Sequence, residues 1–445
     1  MIKIKYLFYL SLVLNIHVTF AEDIVFADEQ VKDICVRKWD TDGNGGLCLE
    51  EAAAVTSLGN AFKFKKDIIS FDELKYFTGL TTINESAFFS CYALQNITLP
   101  NGITKVEARA FYDCNNLQQI KIPQSVKEIE EFAFDCCSNL TDLIIEEGLC
   151  KIGELAFANC TRLKSITLPK TVTSIENNAF QSCPNVEIII VDEANPVFDS
   201  RNKCNAIVET ISNTLFLGCQ NTIIPESVTK IGKYAFRGCS NLSSIEIHNN
   251  VMSIDDLAFS QCTSLSSIVI PSSVTTIGLG AFSNCSSLND VRLNEGLVSI
   301  EQSAFGSCFA LKFITIPSTV TKIGISCFES CFDLEEVQVI FKTPLTIVDS
   351  TFPYRRYITL NVPAGCRDVF LNADIWREFK QIVEWFPMGD VNHDGSVNVL
   401  DVTLVIDYIL DKKPENFHYE EANVNGDEYI NVLDVTKIID IILGK

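Results

Sequence analysis

The amino-acid sequence predicts an α/β solenoid with a 23-residue period, followed by a small all-α domain at the C-terminus. Cysteines recur every 23 residues, and a phenylalanine lies three residues before each of them. Two similar acidic segments close the chain at an offset of 33 residues. With 445 residues the chain is too long for one ordinary core, but it suits a long repeat array.

Composition excludes several function classes. Hydrophobic residues make up 47% of the chain and charged residues 21%, so the chain as a whole is not disordered. The net charge of -22 argues against nucleic acid and anionic lipid as partners, and favours calcium or a basic or neutral protein. The sequence contains no phosphate loop, nucleophile elbow or dinucleotide glycine motif. The four histidines do not cluster in the sequence, which argues against a histidine-built zinc site: His17, His248, His393 and His418.

Residues 1–21 are expected to be a cleaved secretory signal. Met1 to Lys5 is basic, Tyr6 to Ile16 is apolar, and Thr19-Phe20-Ala21 places small residues at the -3 and -1 positions. The alternative is a membrane anchor, but the apolar run is shorter than the roughly 20 residues that span a bilayer. We therefore expect export, to the cell surface or beyond, and no membrane span.

Residues 22–79 are expected to cap the array and to carry a calcium loop. The segment DTDGNGGLCLEE fits the EF-hand loop, between helices expected at about Glu29 to Trp39 and Glu50 to Leu58. Cys48 at position 9 departs from the pattern, and the alternative is a metal-free turn. The candidate ligands are Asp40, Asp42, Asn44, the carbonyl of Gly46, and Glu51.

Residues 80–340 form the expected array. One 23-residue unit cannot bury its own apolar side, whereas stacked units form a continuous core. The phenylalanines therefore predict a buried ladder, and an insertion over residues 194–227, with a short strand NTIIP, interrupts it. The ladder cysteines are Cys91, Cys114, Cys137, Cys160, Cys183, Cys239, Cys262, Cys285, Cys308 and Cys331.

Disulfides are the default expectation for cysteines in an exported protein. Stacked cysteines, however, have parallel Cβ directions, a poor geometry for bridging, and a free thiol packs well as a small apolar group. We therefore expect the ladder thiols to be reduced. Eight further cysteines lie outside the ladder and are free to pair: Cys35, Cys48, Cys136, Cys150, Cys204, Cys219, Cys327 and Cys366.

The repeat AFYDCNNLQQIKIPQSVKEIE resembles the BspA-like leucine-rich repeat family of bacterial surface proteins. The resemblance spans about residues 80–386 and implies a solenoid of leucine-rich repeats, export, and adhesion to a host or surface protein or glycan. The strand positions outside the core form a mixed surface, so a plain solvated face stays as the alternative to a ligand groove. Its scattered apolar points are Ile144, Ile188, Ile190, Val269 and Phe313.

Residues 341–386 drop the 23-residue period and are expected to cap the solenoid. The pattern predicts a strand followed by one amphipathic helix. Such a cap covers the open core and strand edge at the end of an array. Its inward residues are expected to be Phe370, Trp376, Phe379 and Ile382.

Residues 387–445 contain two loop-helix units with an acid at loop position 12, and no long linker precedes them. Only oxygens are offered, so calcium is expected and zinc or copper is not. The units resemble the type I dockerin, which implies two calcium ions and a cohesin on another protein. The first loop offers Asp390, Asn392, Asp394, Ser396, Asn398 and Asp401. The second offers Asn423, Asn425, Asp427, Tyr429, Asn431 and Asp434.

The two loops are not expected to be equal. The second has a neutral Asn423 at position 1 and Glu428 where a glycine is preferred, so strain is expected there. In dockerins, loop positions 10 and 11 recognise cohesin. Here they are apolar, and the alternative is that they pack internally. The four residues are Val399, Leu400, Val432 and Leu433.

Two functions compete at this point. The first is a non-enzymatic binding protein whose dockerin joins it to a cohesin-type partner. The second is an enzyme, or an accessory of a polysaccharide-degrading assembly, because dockerins often accompany catalytic domains. A glycosidase needs two positioned carboxylates in a cleft, and no catalytic-sized segment remains after the assignments above. The sequence therefore favours the binding protein and names no catalytic residue.

Overall fold

The structure is a computed structural model that describes residues 22–444. Its main part is a solenoid of about fourteen turns with a period near 23 residues, which confirms the predicted class. The expected signal at residues 1–21 lies outside the described part. Within that part, no helix has the length and apolar character needed to cross a membrane.

Most regular repeats contribute a first strand, usually of four residues, and a second strand of two residues. In Gln119–Ile122 the side chains alternate, with Ile120 and Ile122 buried, as the pleat of a strand requires. The strand pairs in parallel with the next turn, where Ile120 lies beside Leu143. The first strands are Asn96–Ile97, Gln119–Ile122, Asp142–Ile145, Ser165–Leu168, Ile188–Val191, Ser267–Ile270, Asp290–Leu293, Phe313–Ile316 and Glu336–Val339. The second strands are Thr82–Ile83, Lys105–Val106, Glu128–Ile129, Lys151–Ile152, Ser174–Ile175, Lys230–Ile231, Ser253–Ile254, Thr276–Ile277, Ser299–Ile300 and Lys322–Ile323.

The segment with the phenylalanine and the cysteine consists of tight turns, without an α-helix in the described repeats. Two residues in each such segment have positive φ, for example Arg109 at 55° and Asp113 at 63°. Small polar residues and glycine occupy many of the equivalent positions, since they tolerate this backbone best. The side of the solenoid opposite the first strands is therefore built from turns.

The phenylalanines form the predicted core ladder. Phe88 and Phe111 stack at 5.1 Å, Phe282 and Phe305 at 5.4 Å, and the ladder phenylalanines are buried. The ladder breaks at the insertion, and the core divides there into two clusters.

The insertion forms three antiparallel strands, which the sequence did not predict. Its strands are Phe198–Asp199, Ala206–Glu209 and Thr214–Gly218, and the last pairs in parallel with Lys230–Ile231. The expected strand NTIIP is wrong. A turn closed by hydrogen bonds between Cys219 and Thr222 takes its place.

The N-terminal region adds two helices, α1 (Glu29–Trp39) and α2 (Leu49–Ala54), a 3-10 helix at Asp72–Tyr76, and a strand at Ser70–Phe71. The α1 bounds match the prediction, but α2 ends four residues early. Asn84 in the first repeat accepts hydrogen bonds from the N–H groups of Leu58 and Gly59. These bonds hold the chain in a loop where the helix was expected to continue.

Residues 341–386 keep the period, so the expectation that it is lost there is wrong. The strands Thr359–Pro363 and Gln381–Trp385 continue the parallel sheet. Between them lie only α3 (Arg367–Leu371) and a 3-10 helix at Trp376–Glu378, in place of the single predicted helix. A 3-10 helix at Arg355–Tyr357 precedes the first of these strands. The four residues predicted to point inward are all buried: Phe370, Trp376, Phe379 and Ile382.

The repeat signature disappears at this end because other side chains take over its positions. Phe352 continues the ring ladder, 4.8 Å from Phe328. Arg355 stands three residues later, where the earlier repeats have cysteine, and pairs with Asp349 and Glu378. The geometry of the turn is therefore retained with different chemistry.

The C-terminal domain consists of α4 (Val399–Ile409), α5 (Tyr419–Ala422) and α6 (Val432–Ile442). Its small core includes Val405 and Ile438, both fully buried. The apolar residues Ile406 and Ile409 of α4 are 40% and 36% exposed. With only two long helices, the domain has no third layer to cover them.

Candidate functional site

The first C-terminal loop, residues 390–401, surrounds two fully buried carboxylates. Asp401 accepts hydrogen bonds from the N–H groups of Val391 and Asn398, at 2.8 and 2.9 Å. Asp390 accepts one from Gly395 at 2.9 Å. These bonds fold the loop around the carboxylates and leave their remaining lone pairs inside it.

The electrostatics of this loop favour a cation. Burial raises the pKa of Asp390, and the neighbouring charge of Asp401 adds to the rise. Both effects act against the charged carboxylate, and a divalent cation beside the two acids would oppose them. The donors are all oxygens, so the residues present fit calcium.

The second C-terminal loop, residues 423–434, repeats this arrangement. Asp434 is fully buried and accepts hydrogen bonds from Asn425 and Asn431 at 3.1 and 2.9 Å. At position 1, the amide of Asn423 donates to the carbonyl of Asp427, while its Oδ1 is buried without a hydrogen-bond partner. An orphaned oxygen at that position fits a calcium ligand.

The strain expected at Glu428 is wrong, since Glu428 does not adopt a positive φ. In the first loop, position 6 is Gly395 with φ 88°, and its N–H bonds to Asp390. In the second loop, positive φ falls on Gly426 at 68°, two residues earlier. The second loop therefore lacks the position-6 hydrogen bond and, with it, the strain.

The N-terminal loop, residues 40–51, brings side-chain oxygens of Asp40, Asp42 and Glu51 within 4.8 Å of one another. Glu51 is buried and accepts hydrogen bonds from Thr41 at 2.6 Å and Cys48 at 3.0 Å. The N–H of Cys48 is the main cause that lowers the pKa of Glu51 to about 2. The acid is thus held ionised, as a bidentate calcium ligand must be.

Sequence reasoning missed one acid near this loop. The carboxylate of Asp23 occupies the space that a Cβ on Gly46 would fill. The backbone at Asp23 forms an antiparallel bridge with Cys48, which brings the two segments together. No local motif marks Asp23, since its position depends on a pairing across 25 residues.

The four candidate docking residues are exposed, so the alternative that they pack internally is wrong. Val399 and Leu400 are 69% and 57% exposed, and Val432 and Leu433 are 65% and 62% exposed. Further exposed apolar residues repeat at the same offset of 33 along α4 and α6: Ile406 with Ile439, Ile409 with Ile442, and Leu410 with Leu443.

The expectation that the histidines do not cluster is also wrong. The rings of His393 and His418 stack at 3.4 Å, and Phe386 stacks on His393 at 3.6 Å. Glu421 lies 3.2 Å from Nε2 of His393. The fold of the C-terminal domain brings together residues that the sequence separates.

The C-terminal domain lies against the last turn of the solenoid. A Cβ placed on Gly395 would stand 3.2 Å from that of Ala364, which follows the strand Thr359–Pro363. The N–H of Gly389 donates to the carbonyl of Glu421 at 2.8 Å, and so fixes the connecting segment to the domain. The first calcium loop therefore contacts the solenoid.

The surface formed by the first strands is mixed and broken. The five apolar points expected on it are all between 41% and 53% exposed. At the insertion, Ile188 and Ile190 line a groove together with Arg201 and Lys203. An exposed aromatic strip elsewhere was not predicted, with Phe309 and Phe332 stacked at 5.8 Å.

All eighteen cysteines lie in the described part and are free thiols, as expected for the ladder.

Comparison with protein families identifies both parts of the chain. Six copies of the BspA type leucine-rich repeat region match residues 60–187 and 209–335. The chain belongs to the BspA-type leucine-rich repeat family. The type I dockerin domain matches residues 388–443. Both are non-catalytic domain types, typical of extracellular or surface proteins, and type I dockerins are known to bind calcium.

Two solved structures with TM-scores above 0.5 support the repeat fold. The pneumococcal vaccine antigen PcpA is 20% identical, over 69% of this chain and 78% of that one, with a TM-score of 0.55. A leucine-rich repeat protein from Eubacterium ventriosum is 24% identical, over 69% and 79%, with a TM-score of 0.54. A leucine-rich cell surface protein from Faecalibacterium prausnitzii is 27% identical, over 62% and 79%, with a TM-score of 0.49. No curated protein matches the chain.

Proposed function

We propose that this protein is a secreted, non-enzymatic binding protein. Its solenoid presents an interaction surface to a host or surface protein or glycan. Its dockerin domain attaches it to a cohesin-type partner, and calcium is needed for that attachment. The repeat family supports protein binding, and the dockerin supports assembly through a cohesin.

The buried acids of the two C-terminal loops carry the calcium part of the proposal. Asp401 and Asp434 each orient the backbone at loop position 9, where α4 and α6 begin. A calcium ion, when bound, supplies positive charge to the acids that the loops bury. The side chains then position the helices, and with them the exposed apolar pairs in the first turn of each helix.

The duplication of the exposed pairs supports docking in two orientations. Val399 and Leu400 correspond to Val432 and Leu433 at an offset of 33 residues, and the exposed residues of both helices follow the same offset. A partner that recognises one pair finds equivalent chemistry at the other. Apolar patches of this kind on a small domain mark protein interaction sites.

The N-terminal loop is proposed as a third calcium site. Its acids converge within 4.8 Å, and Glu51 is held ionised. The loop packs on the first solenoid turns, where Trp39 at the end of α1 contacts Phe77 at 5.6 Å. Calcium there would stabilise the cap, with no part in docking.

Binding of the full chain to immobilised cohesin domains, in calcium and in EGTA, tests the proposal. We expect binding in calcium that is lost in EGTA and restored when calcium is returned. The variant Asp40→Ala/Glu51→Ala, altered only in the N-terminal loop, is the matched control and should still bind. Failure to bind type I cohesins in saturating calcium, with the dockerin folded by circular dichroism, contradicts the docking role.

A further inference from the structure

We propose that His393, His418 and Glu421 form a binding site for a transition-metal cation such as Zn²⁺, distinct from the calcium loops. One ligand atom from each residue lies within 4.8 Å of the others. His393 belongs to the first loop, whereas His418 and Glu421 lie at the start of the second unit. Only the folded domain brings them together.

The contact between His393 and Glu421 has the geometry of two ligands that share an ion. Nε2 of His393 is 3.2 Å from Oε2 of Glu421, yet this buried nitrogen makes no hydrogen bond. Two atoms bound to one tetrahedral zinc at its usual bond lengths are about 3.3 Å apart, and their lone pairs point at the ion. The short distance without a hydrogen bond fits that arrangement.

The donor set selects the class of metal. Two imidazoles and a carboxylate match the ligands of open zinc sites, in which water completes the tetrahedron. Imidazole suits zinc, copper and nickel, whereas calcium takes oxygen ligands. The side chains of His393 and Glu421 are 22% and 20% exposed, so the site lies near the surface, although Nε2 of His393 itself is buried.

Binding needs a small movement of His418. Its ring is stacked on His393 at an angle of 11°, so its lone pair does not yet point where that of His393 points. Its nitrogen must move by up to about 1.5 Å to reach a ligand spacing. His418 precedes α5, and its side chain makes no cap hydrogen bond that this movement would break. Phe386 on the other face of His393 keeps that ring in place.

An ion at this site would join the first loop to α5. It would thereby hold the two halves of the dockerin together. The site lies next to Phe386, in the segment that connects the dockerin to the solenoid. The role inferred is structural: the ion cross-links the two halves and adds to the stability given by calcium.

Zinc titration by calorimetry tests the site, with the reduced full chain saturated in calcium. We expect one zinc ion per chain, and a loss of affinity of at least about tenfold in His418→Gln and in Glu421→Gln. His248→Gln changes a histidine outside the dockerin and should bind zinc like the parent. Equal affinity in the parent and in His418→Gln overturns the proposal, as does the absence of zinc binding by the parent.

Two further measurements keep the result decisive. Cobalt(II) bound at this site should give visible d–d bands without an intense thiolate charge-transfer band, and a thiolate band overturns the assignment by placing the ion at cysteines. His393→Asn keeps a residue that tolerates the positive φ of 55° in the calcium loop. It should lose zinc affinity while its calcium titration stays like that of the parent, and parent-like zinc affinity in this variant also overturns the site.

Discussion

The thiol of Cys285 donates a hydrogen bond to the backbone carbonyl of Phe259 in the preceding turn, at 3.1 Å. Cys262 does the same to Phe236 at 3.2 Å. The ladder thiols therefore act as stacked donors that satisfy buried carbonyls, besides filling space as apolar groups. A disulfide would remove these donors.

Burial of these thiols predicts a loss of stability in alkali. Burial raises the pKa of Cys285 and of Cys331 to about 12, while an unfolded thiol titrates near 8.5. Above pH ~8.5 the unfolded state releases protons that the folded state retains, so the free energy of unfolding falls as pH rises toward 12. Below pH ~8.5 this contribution is fully present. Urea unfolding at pH 8, 9 and 10 measures the change.

The variant Cys285→Ala/Cys331→Ala distinguishes the effect of these thiols on the unfolding free energy from that of other groups that titrate at high pH. Each thiol removed should reduce the fall by about 1.4 kcal/mol per pH unit at high pH. An unfolding free energy with the same pH dependence in parent and variant would show that these thiols do not set it.

Phe282→Ala should destabilise the protein by about 3–5 kcal/mol, the usual cost of removing a large core side chain. Phe282 is fully buried and stacks on a ring on each side, at 5.1 and 5.4 Å. Solenoid turns contact only their neighbours, so the damage should stay local. Denaturant unfolding gives the energy, and hydrogen exchange locates the loosened turns.

Phe313→Ala is the matched control, because Phe313 lies on a first strand and is 41% exposed. Its effect should stay within about 0.5 kcal/mol. If Phe282→Ala unfolds like the parent, the ring ladder does not hold the core together.

Periodicity made the solenoid predictable. Phenylalanine and cysteine recur at a fixed spacing, and equivalent positions of successive turns stack. Phe111 and Cys114 are therefore buried, as are their counterparts in the other regular turns. The last turns escaped prediction because Phe352 and Arg355 keep the geometry with different side chains. Turn shape survives such replacements, whereas a residue pattern does not.

The loops proposed to bind calcium were predictable because their candidate ligands are close in sequence. The contact of His393 with His418, and the approach of Asp23 to Gly46, were not, because tertiary structure creates both. The backbone conformation of the second loop was also not predicted, since Gly426 has a positive φ and Glu428 does not.

The two dockerin loops should still differ, now because of charge and hydrogen bonding at position 1. Asp390→Ala removes a buried carboxylate and a partner of Gly395, whereas Asn423→Ala removes a neutral amide that bonds to the carbonyl of Asp427. We expect Asp390→Ala, and likewise Asp401→Ala, to lower calcium affinity on the order of tenfold or more, and to harm folding more than Asn423→Ala does. Calcium titration followed by circular dichroism gives both quantities.

Asn423→Asp provides the opposite test. It adds the missing charge at position 1 and should tighten calcium binding by the second loop. Equal effects of Asp390→Ala and Asn423→Ala, or weaker binding in Asn423→Asp, would contradict this ranking.

The dockerin should not reorient freely relative to the solenoid. The linker is short, and Gly395 approaches Ala364 in the last solenoid turn. Small-angle scattering of the calcium-loaded chain should therefore fit one rigid arrangement. Gly395→Ser would place new atoms against Ala364 and should widen the distribution, whereas Gly426→Ser, also at a positive φ but with open space around its Cβ, should not. Scattering from the parent that requires many orientations contradicts the contact.

The last prediction concerns docking in two orientations. Val399→Asp/Leu400→Asp and Val432→Asp/Leu433→Asp each introduce charge into one exposed pair and leave the other intact. If cohesin recognises either pair, each double variant should bind with little loss, and the quadruple variant should lose binding. The residues are more than half exposed, so the variants should fold like the parent. Glu415→Ala alters an exposed residue in the segment between the two loop-helix units, and should bind normally. Loss of binding in only one double variant would establish a single docking face, and unfolding of either would show that the pair belongs to the core.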